Sequence, residues 1–132
     1  MDRRSSCVGD SWVHAMFKVK YCHNVFDFEE VRAWLQAKLY EISSLYSMPI
    51  KKLGIDSNHL HMKLNIGIRS KPEAAKIFRG RIGRQIFQAF PWLKEKLFWD
   101  SGFWNPAYFM DNVGKDSDAI EAYIGKQKYA IN

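Results

Sequence analysis

Two histidines near the middle of the chain have the spacing of a metal-binding pair. They lie in residues 59–68 (His-Leu-His-Met-Lys-Leu-Asn-Ile-Gly-Ile), where apolar and polar side chains alternate. This alternation predicts a β-strand, so His59 and His61 lie on one face with their Cα atoms about 6–7 Å apart. Two neutral imidazoles at this spacing can bind a divalent cation, and Lys63 on the same face can attract an anion.

The same alternation predicts which side of this strand is buried. The apolar side chains are expected to form a row that faces the core, namely Leu60, Met62, Leu64, Ile66 and Ile68. The polar row then faces solvent, which argues against two histidines satisfied within the core. An ordinary solvated pair of surface histidines remains an alternative on spacing alone.

A second pair of reactive side chains lies close to the C-terminus. Tyr123 and Gln127 are four residues apart in a predicted helix that Ser117 or Asp118 would cap, so they share one face. Gly125 between them costs such a helix about 1 kcal/mol, which makes its end easy to loosen. An ordinary amphipathic tyrosine is the alternative reading of Tyr123.

The elements that must position these residues follow a simple order. We predict a strand, a helix, two strands, a second helix, a hairpin that continues into a further strand, and a last helix. This β-α-β-β-α-β order predicts an α/β (α+β) sandwich of the ferredoxin-like or RNA-recognition-like type, with an antiparallel sheet. The predicted strands are residues 12–21, 50–55, the histidine strand and 108–110, with a hairpin at residues 97–104. The first helix is predicted to begin with a cap at Asp27. The second is predicted to begin with a capping box at Ser70 and Glu73 and to end at Pro91.

Length and composition indicate one domain that covers residues 1–132. The 132 residues are 47% hydrophobic and 15% aromatic, which is enough for a substantial core. No apolar run approaches the ~20 residues of a membrane span, and we expect a soluble, cytoplasmic protein with no membrane partner. Cys7 and Cys22 lack a C-x-x-C spacing, so two free thiols are expected.

The charge balance favours a polyanionic partner. Twenty Lys and Arg residues against 14 Asp and Glu residues give a net charge of +6. Several of the cations lie on the polar side of predicted elements, where they can contact phosphates, although a helix with a solvated basic face fits equally well. The candidates are Lys18, Lys20, Lys63, Lys76, Arg79, Arg81 and Arg84.

Three separated motifs together resemble one known family. His59-Leu60-His61 resembles an HUH motif, in which a hydrophobic residue separates two histidines. Residues 103–109 (Phe-Trp-Asn-Pro-Ala-Tyr-Phe), followed by Val113 and Gly114, resemble a W-x-x-x-Y-F…V-G block, and residues 123–127 resemble a Y-I-x-x-Q helix. In this order they are similar to the single-tyrosine HUH transposases (TnpA) of the smallest bacterial and archaeal insertion sequences, and the resemblance covers nearly the whole chain.

The resemblance implies a DNA transposase, an HUH endonuclease and strand transferase that acts on single-stranded DNA with hairpins at the element ends. Tyr123 would be the nucleophile that becomes linked to a 5′-phosphate. His59, His61 and Gln127 would bind Mg²⁺ or Mn²⁺. The family implies a homodimer, in which the tyrosine helix of one subunit completes the histidine site of the other, and a nucleoid-associated location.

The implied chemistry is physically consistent. A phenol has a pKa of about 10 and is a weak nucleophile at neutral pH, so it needs an activating group. A cation on the scissile phosphate stabilises the developing charge and orients the leaving oxygen. The tyrosyl phosphodiester conserves the bond energy, so that a 3′-hydroxyl can rejoin the strand without ATP.

Other functions compete with this one. A histidine-triad hydrolase would need a third histidine where Lys63 stands. A non-enzymatic RNA-binding module of the same fold would need exposed aromatic residues on the histidine strand, which has none. A protein of transposase origin that binds hairpin DNA or RNA but no longer cuts is the third alternative, and the presence of His59, His61 and Tyr123 argues against it.

Overall fold

The alternating and helical patterns of the sequence become five strands and three long helices. The structure, a computed structural model, describes residues 11–113 and 117–130. The strands are β1 (Trp12–Val19), β2 (Ile50–Ile55), β3 (His59–Asn65), β4 (Trp104–Asn112) and β5 (Tyr129–Ala130). The helices are α1 (Glu29–Leu45), α2 (Lys71–Ala89) and α3 (Ser117–Ile124), and short helical turns cover Pro91–Leu93 and Lys94–Phe98.

The five strands form one antiparallel sheet in the order β4-β1-β3-β2-β5. The first four strands, with α1 and α2 in their connections, confirm the predicted β-α-β-β-α-β sandwich. Register brings polar side chains of different strands together, because directly paired residues share a face. Met16 pairs with both His61 and Phe109, and His61 also pairs with Gly54.

The apolar face of the sheet packs on α1 and α2 around a continuous core. Leu60, Met62 and Leu64 of β3 are fully buried, as the alternation predicts. Burial of each such side chain stabilises the fold by about 1.5–3 kcal/mol. The prediction is wrong for Ile68, which is 100% exposed because β3 ends at Asn65 and the chain turns there.

The start of α1 differs from the predicted cap. The helix begins at Glu29 after Phe28, and no side chain caps it. The Asp27 carboxylate instead accepts hydrogen bonds from the Ser57 and Tyr129 hydroxyls and from the Lys128 ammonium group. Contacts that are distant in sequence therefore outweigh the local capping pattern. By contrast, the predicted cap of α2 is confirmed, since the Ser70 hydroxyl accepts from the Glu73 backbone N–H at 3.2 Å.

The hairpin predicted for residues 97–104 is wrong. Helical turns continue after α2 through Pro91–Leu93 and Lys94–Phe98, and of the predicted hairpin only Trp104 lies in β4. Apolar contact explains this outcome, because Phe98 is buried and packs on Phe87 of α2 with ring centroids 5.4 Å apart. β1 is also shorter than predicted and ends at Val19, where the chain turns at Lys20–Cys22.

The polar face of the sheet is not the open surface that the alternation predicts. Helix α3 packs across β3 and β2, and His61 and Lys63 are only 4% and 3% exposed. The prediction of a solvent-facing row is wrong because the pattern of one strand contains no information about a helix that packs on it.

Among the helices that the structure describes, none is long and apolar enough to cross a membrane.

Candidate active site

The two predicted metal-binding histidines lie side by side beneath α3. β3 places both imidazoles on its polar face, with ring centroids 5.1 Å apart and ring planes at 80°. His59 is partly exposed at the beginning of the strand, whereas His61 is buried in the middle of the sheet. The pair therefore has one member open to solvent and one held rigidly by the fold.

Both histidines have one ring nitrogen engaged by a neighbour. His59 Nδ1–H donates to the side-chain oxygen of Asn58 at 2.8 Å, and His61 Nδ1 shares a hydrogen bond of 2.8 Å with His14 Nε2. The two Nε2 atoms are left for a ligand. A metal-binding histidine usually has this second hydrogen bond, which orients the ring and fixes its tautomer.

Burial keeps the inner histidines neutral. The pKa of His61 is lowered to about 4, and loss of hydration on burial is the largest cause. The neighbouring His14 and His59 also lower this pKa, whereas Asp56 raises it. Burial also lowers the pKa of His14. Because a metal binds the unprotonated imidazole, these shifts favour binding throughout the neutral range.

His14 is the main site residue that the sequence reasoning did not single out. It stacks on His61 with centroids 5.0 Å apart, and Phe109 of β4 packs against its edge. A signal was available, because residues 12–20 alternate in the same way as β3 and put His14 and Lys18 on one face. Only the pairing of β1 with β3 shows that this face is the one that carries His61.

Tyr123 lies at the histidine pair of its own chain. Its ring is 5.1 Å from that of His61 and 6.0 Å from that of His14, centroid to centroid, and stands nearly perpendicular to His61. The side chain is half exposed. The last turn of α3 thus presents a phenol hydroxyl that solvent and a large substrate can reach, next to two imidazoles.

Ion pairs fix α3 on the sheet. Glu121, two residues before Tyr123, contacts Lys63 Nζ at 2.6 Å and Lys51 Nζ at 3.1 Å. Hydrogen bonds from Lys63 and then Lys51 lower the pKa of Glu121 to about 2. Lys63 was predicted to contact phosphate; in this structure its buried ammonium group forms an ion pair with Glu121 of α3.

Gly54 allows the end of α3 to approach the sheet closely. A Cβ atom at this position would lie 2.6 Å from the Ile124 carbonyl oxygen and 2.7 Å from Gln127 Cγ, both far inside van der Waals contact. No local pattern singles out this glycine, because the segment that packs on it lies about 70 residues later in the chain.

Gln127 reaches the site from a turn and not from the helix. α3 ends at Ile124, so the predicted common helical face of Tyr123 and Gln127 is wrong. The Gln127 side chain nevertheless packs on Gly54, the strand partner of His61, and its amide nitrogen lies 3.5 Å from the Tyr123 carbonyl oxygen. Within residues 11–113 and 117–130, no three His, Cys, Asp or Glu side chains form a metal cluster. The atom that Gln127 could offer to a metal is its amide oxygen.

The remaining predicted phosphate contacts divide into two groups. Some are engaged within the protein: Arg79 donates to the Asn105 carbonyl oxygen, and Arg81 donates to the Tyr46 hydroxyl at 2.9 Å. Others lie at the surface. Lys76 and Arg84 are exposed on α2 beside a cleft of ≈600 Å³ between α2 and β4. Lys18 pairs with His59 across β1 and β3, and Lys20 begins the turn after β1.

The family profile and the related sequences that match this chain are all described as transposases. The family profile described as transposase IS200 like matches residues 7–127. The ISDra2 transposase TnpA of Deinococcus radiodurans is 32% identical over 116 residues, which cover 86% of this chain and 81% of that protein. The transposase for insertion sequence element IS200 of Salmonella typhimurium is 28% identical over 115 residues, which cover 86% of this chain and 74% of that protein.

Solved structures share the fold. A crystal structure of a protein from Deinococcus radiodurans that is assigned as a transposase superposes with a TM-score of 0.70 at 29% identity, covering 88% of this chain and 89% of that one. A REP-associated tyrosine transposase bound to a REP hairpin gives a TM-score of 0.64 at 11% identity, over 87% of this chain and 64% of that one. With the profile match over residues 7–127, these similarities show that the chain belongs to the IS200-like transposase family.

Proposed function

We propose that this protein cuts and rejoins single-stranded DNA through a covalent bond between Tyr123 and a 5′-phosphate. The observation that carries the proposal is the position of the Tyr123 ring, 5.1 Å from His61 and half exposed at the edge of the histidine pair. A substrate phosphate placed over the two free Nε2 atoms would meet the phenol from one side. This arrangement supports nucleophilic catalysis better than hydrolysis by histidines alone.

The proposed step exchanges one phosphodiester for another. Tyr123 Oη loses its proton to solvent and attacks phosphorus, and the bond from phosphorus to the 3′-oxygen breaks. The leaving oxygen takes up a proton and becomes a free 3′-hydroxyl. In the reverse direction a 3′-hydroxyl attacks the tyrosyl phosphodiester and restores the phenol, so that joining requires no further energy source.

The donor set fits a divalent metal. His59 and His61 each have an Nε2 atom that is not part of their Nδ1 hydrogen bonds, and the Gln127 amide lies within the same region of the sheet. We propose that these three residues hold Mg²⁺ or Mn²⁺, with phosphate oxygens as the remaining ligands. When bound, the ion neutralises negative charge on the phosphate and orients it for attack. His14 and Asn58 hold the two rings in position for this role.

The DNA partner that we propose is a single strand with a hairpin near the element end. Lys76 and Arg84 lie exposed on α2 beside the cleft, on the face of the sheet opposite to the histidines, where a duplex stem could bind without blocking the site. A protein of the same fold is known bound to a REP hairpin. We also propose that the protein acts as a homodimer at the nucleoid, since a transposase must hold two DNA ends.

Denaturing gels test the central proposal. Labelled single-stranded DNA that carries the hairpin and flank of the element is incubated with wild type or with Tyr123→Phe, in Mn²⁺ or in EDTA. We expect a protein–DNA adduct that resists denaturation and requires both Mn²⁺ and the tyrosine hydroxyl. Tyr123→Phe removes one oxygen, so hairpin binding should persist. Equal binding by both proteins with no adduct from either would instead identify a hairpin-binding protein that no longer cuts.

A further inference from the structure

Two exposed aromatic side chains form a cleft beside the histidine site. Tyr21 and Trp99 are 58% and 69% exposed, and they lie in a cleft of ≈390 Å³ with His23, Lys96 and Leu97. Burial of large aromatic rings favours folding, so two rings left in solvent within one concave surface suggest a binding function.

The backbone holds this cleft in an unusual conformation. Tyr21 and Trp99 have φ angles of 62° and 50°, a left-handed conformation that bulky residues rarely adopt. The neighbouring Cys22 shares it, with φ of 55°. His23 stabilises the arrangement, because its ring packs edge-on against Tyr21 at 5.7 Å and its Nε2 hydrogen bonds the Leu97 carbonyl oxygen at 3.0 Å. The turn after β1 and the turn before β4 are thereby fixed to each other.

Hydrogen bonds of Asn58 link the turn after β1, which carries Tyr21, to His59. The carbonyl oxygen of Cys22 accepts a hydrogen bond from Asn58, whose own side-chain oxygen holds His59. Lys18 is the strand partner of His59, and Lys20 Nζ lies 5.6 Å from the centroid of the Tyr21 ring. Of the described residues that line the cleft, none is acidic. Lys18 therefore accompanies the histidine pair, and Lys20 and Lys96 accompany the aromatic pair.

From these features we infer that Tyr21 and Trp99 stack on an unpaired base of the DNA strand that passes through the histidine site. Lys20 and Lys96 would contact the adjoining phosphates. Stacking on aromatic rings binds any base, because every base has an aromatic face, and cations beside the rings track the backbone. This inference rests on the proposed function, since it places one nucleotide of the proposed substrate.

Binding of a short strand without a hairpin tests the inference. The probe is a fluorescein-labelled dT10 strand, with an abasic strand of equal charge as reference, and anisotropy is measured in EDTA on the Tyr123→Phe protein so that no cleavage occurs. We expect Tyr21→Ala and Trp99→Ala each to weaken dT10 binding about 5- to 150-fold and to leave abasic-strand binding nearly unchanged. Trp99→Phe, which keeps a ring, should retain most of the affinity.

A matched control and three outcomes would each bear on the stacking site. Ile68→Ala removes a fully exposed apolar side chain outside the cleft and should bind both probes like its parent. Wild-type dT10 affinity in both alanine variants would overturn the inference, as would equal loss for the dT10 and abasic strands. A change of oligomeric state in Trp99→Ala, measured by light scattering, would assign the cleft to a subunit contact instead.

The inference and the proposed function can fail separately. Adduct formation by the wild-type protein, together with unchanged dT10 binding in the alanine variants, would remove only the stacking site. Selective loss of dT10 binding in those variants would keep the stacking site, even if the wild-type protein formed no adduct.

Discussion

At the scale of single residues, the site depends on a histidine that has no direct contact with substrate in our proposal. His14 shares a hydrogen bond of 2.8 Å with His61 and stacks on its ring, so it determines the direction in which His61 Nε2 points. His59 obtains the same support from Asn58. Four side chains, those of His14, Asn58, His59 and His61, therefore determine the geometry of the histidine pair.

His14→Phe tests this positioning role. The substitution keeps a buried aromatic ring but removes the hydrogen bond, so we expect Mn²⁺ affinity to fall about 10- to 100-fold while the fold is retained. Titration calorimetry with Mn²⁺ measures the affinity, circular dichroism checks the fold, and His59→Ala provides the reference for loss of a direct ligand. Unchanged Mn²⁺ affinity in His14→Phe would refute the positioning role.

The ion pairs of Glu121 predict a pH dependence with a definite sign. The pKa of Glu121 falls from 4.5 to about 2 in the folded protein, so the carboxylate contributes stability that is complete above pH 4.5 and disappears as the pH falls towards 2. We expect Glu121→Gln to be less stable than wild type by roughly 1 kcal/mol at pH 6 and nearly equal to it at pH 2. Thermal unfolding of both proteins across this range measures the difference. A difference that does not depend on pH would contradict the assigned ion pairs.

At the scale of elements, local sequence patterns predicted the strands better than they predicted which helix packs on each face of the sheet. Alternation identified β3 and the capping box identified the start of α2, because these signals lie within a few residues. The placement of α3 on the polar face was not predictable in this way. It depends on Lys63, Lys51 and Gly54, which acquire their roles only when a segment near the C-terminus packs on them.

Gly54→Ala tests how closely α3 must approach the sheet. The new methyl group would lie 2.6 Å from the Ile124 carbonyl oxygen, so the end of α3 must shift away from His61. We expect adduct formation to fall more than about tenfold with the sheet intact, since displacement by ~1 Å can cost this much. Gly102→Ala is the matched control, because no atom lies within 4 Å of its added methyl group. Equal rates for both variants would show that the approach is not required.

At the scale of the whole molecule, the tyrosine and the histidines of one chain form one site. Ring contacts of Tyr123 with His61 and His14 lie within the same chain, as do the ion pairs that hold α3. The sequence motifs identified these residues but could not show which chain supplies each of them, because a motif contains no information about chain connectivity in space.

Mixed variants test this connectivity. His61→Ala keeps the tyrosine and lacks one imidazole, whereas Tyr123→Phe keeps both imidazoles and lacks the hydroxyl. If each chain builds its own site, mixing the two inactive proteins should restore no adduct above background. The mixture is co-refolded and assayed on gels beside the separate proteins and a wild-type dilution series. Recovery of about a quarter to a half of wild-type adduct would show that α3 exchanges between chains.

The buried hydrogen bond between His14 and His61 also has an evolutionary consequence. Replacement of both partners of such a pair by apolar side chains of similar shape is often neutral or stabilising. Leu60 and Met62, on the opposite face of the same strand, have no comparable freedom because they form the core. In genomic copies that are no longer selected for cutting, positions 14 and 61 should therefore change together, because loss of one partner alone leaves a buried imidazole nitrogen unpaired. A folded but inactive descendant should be recognisable by that paired change.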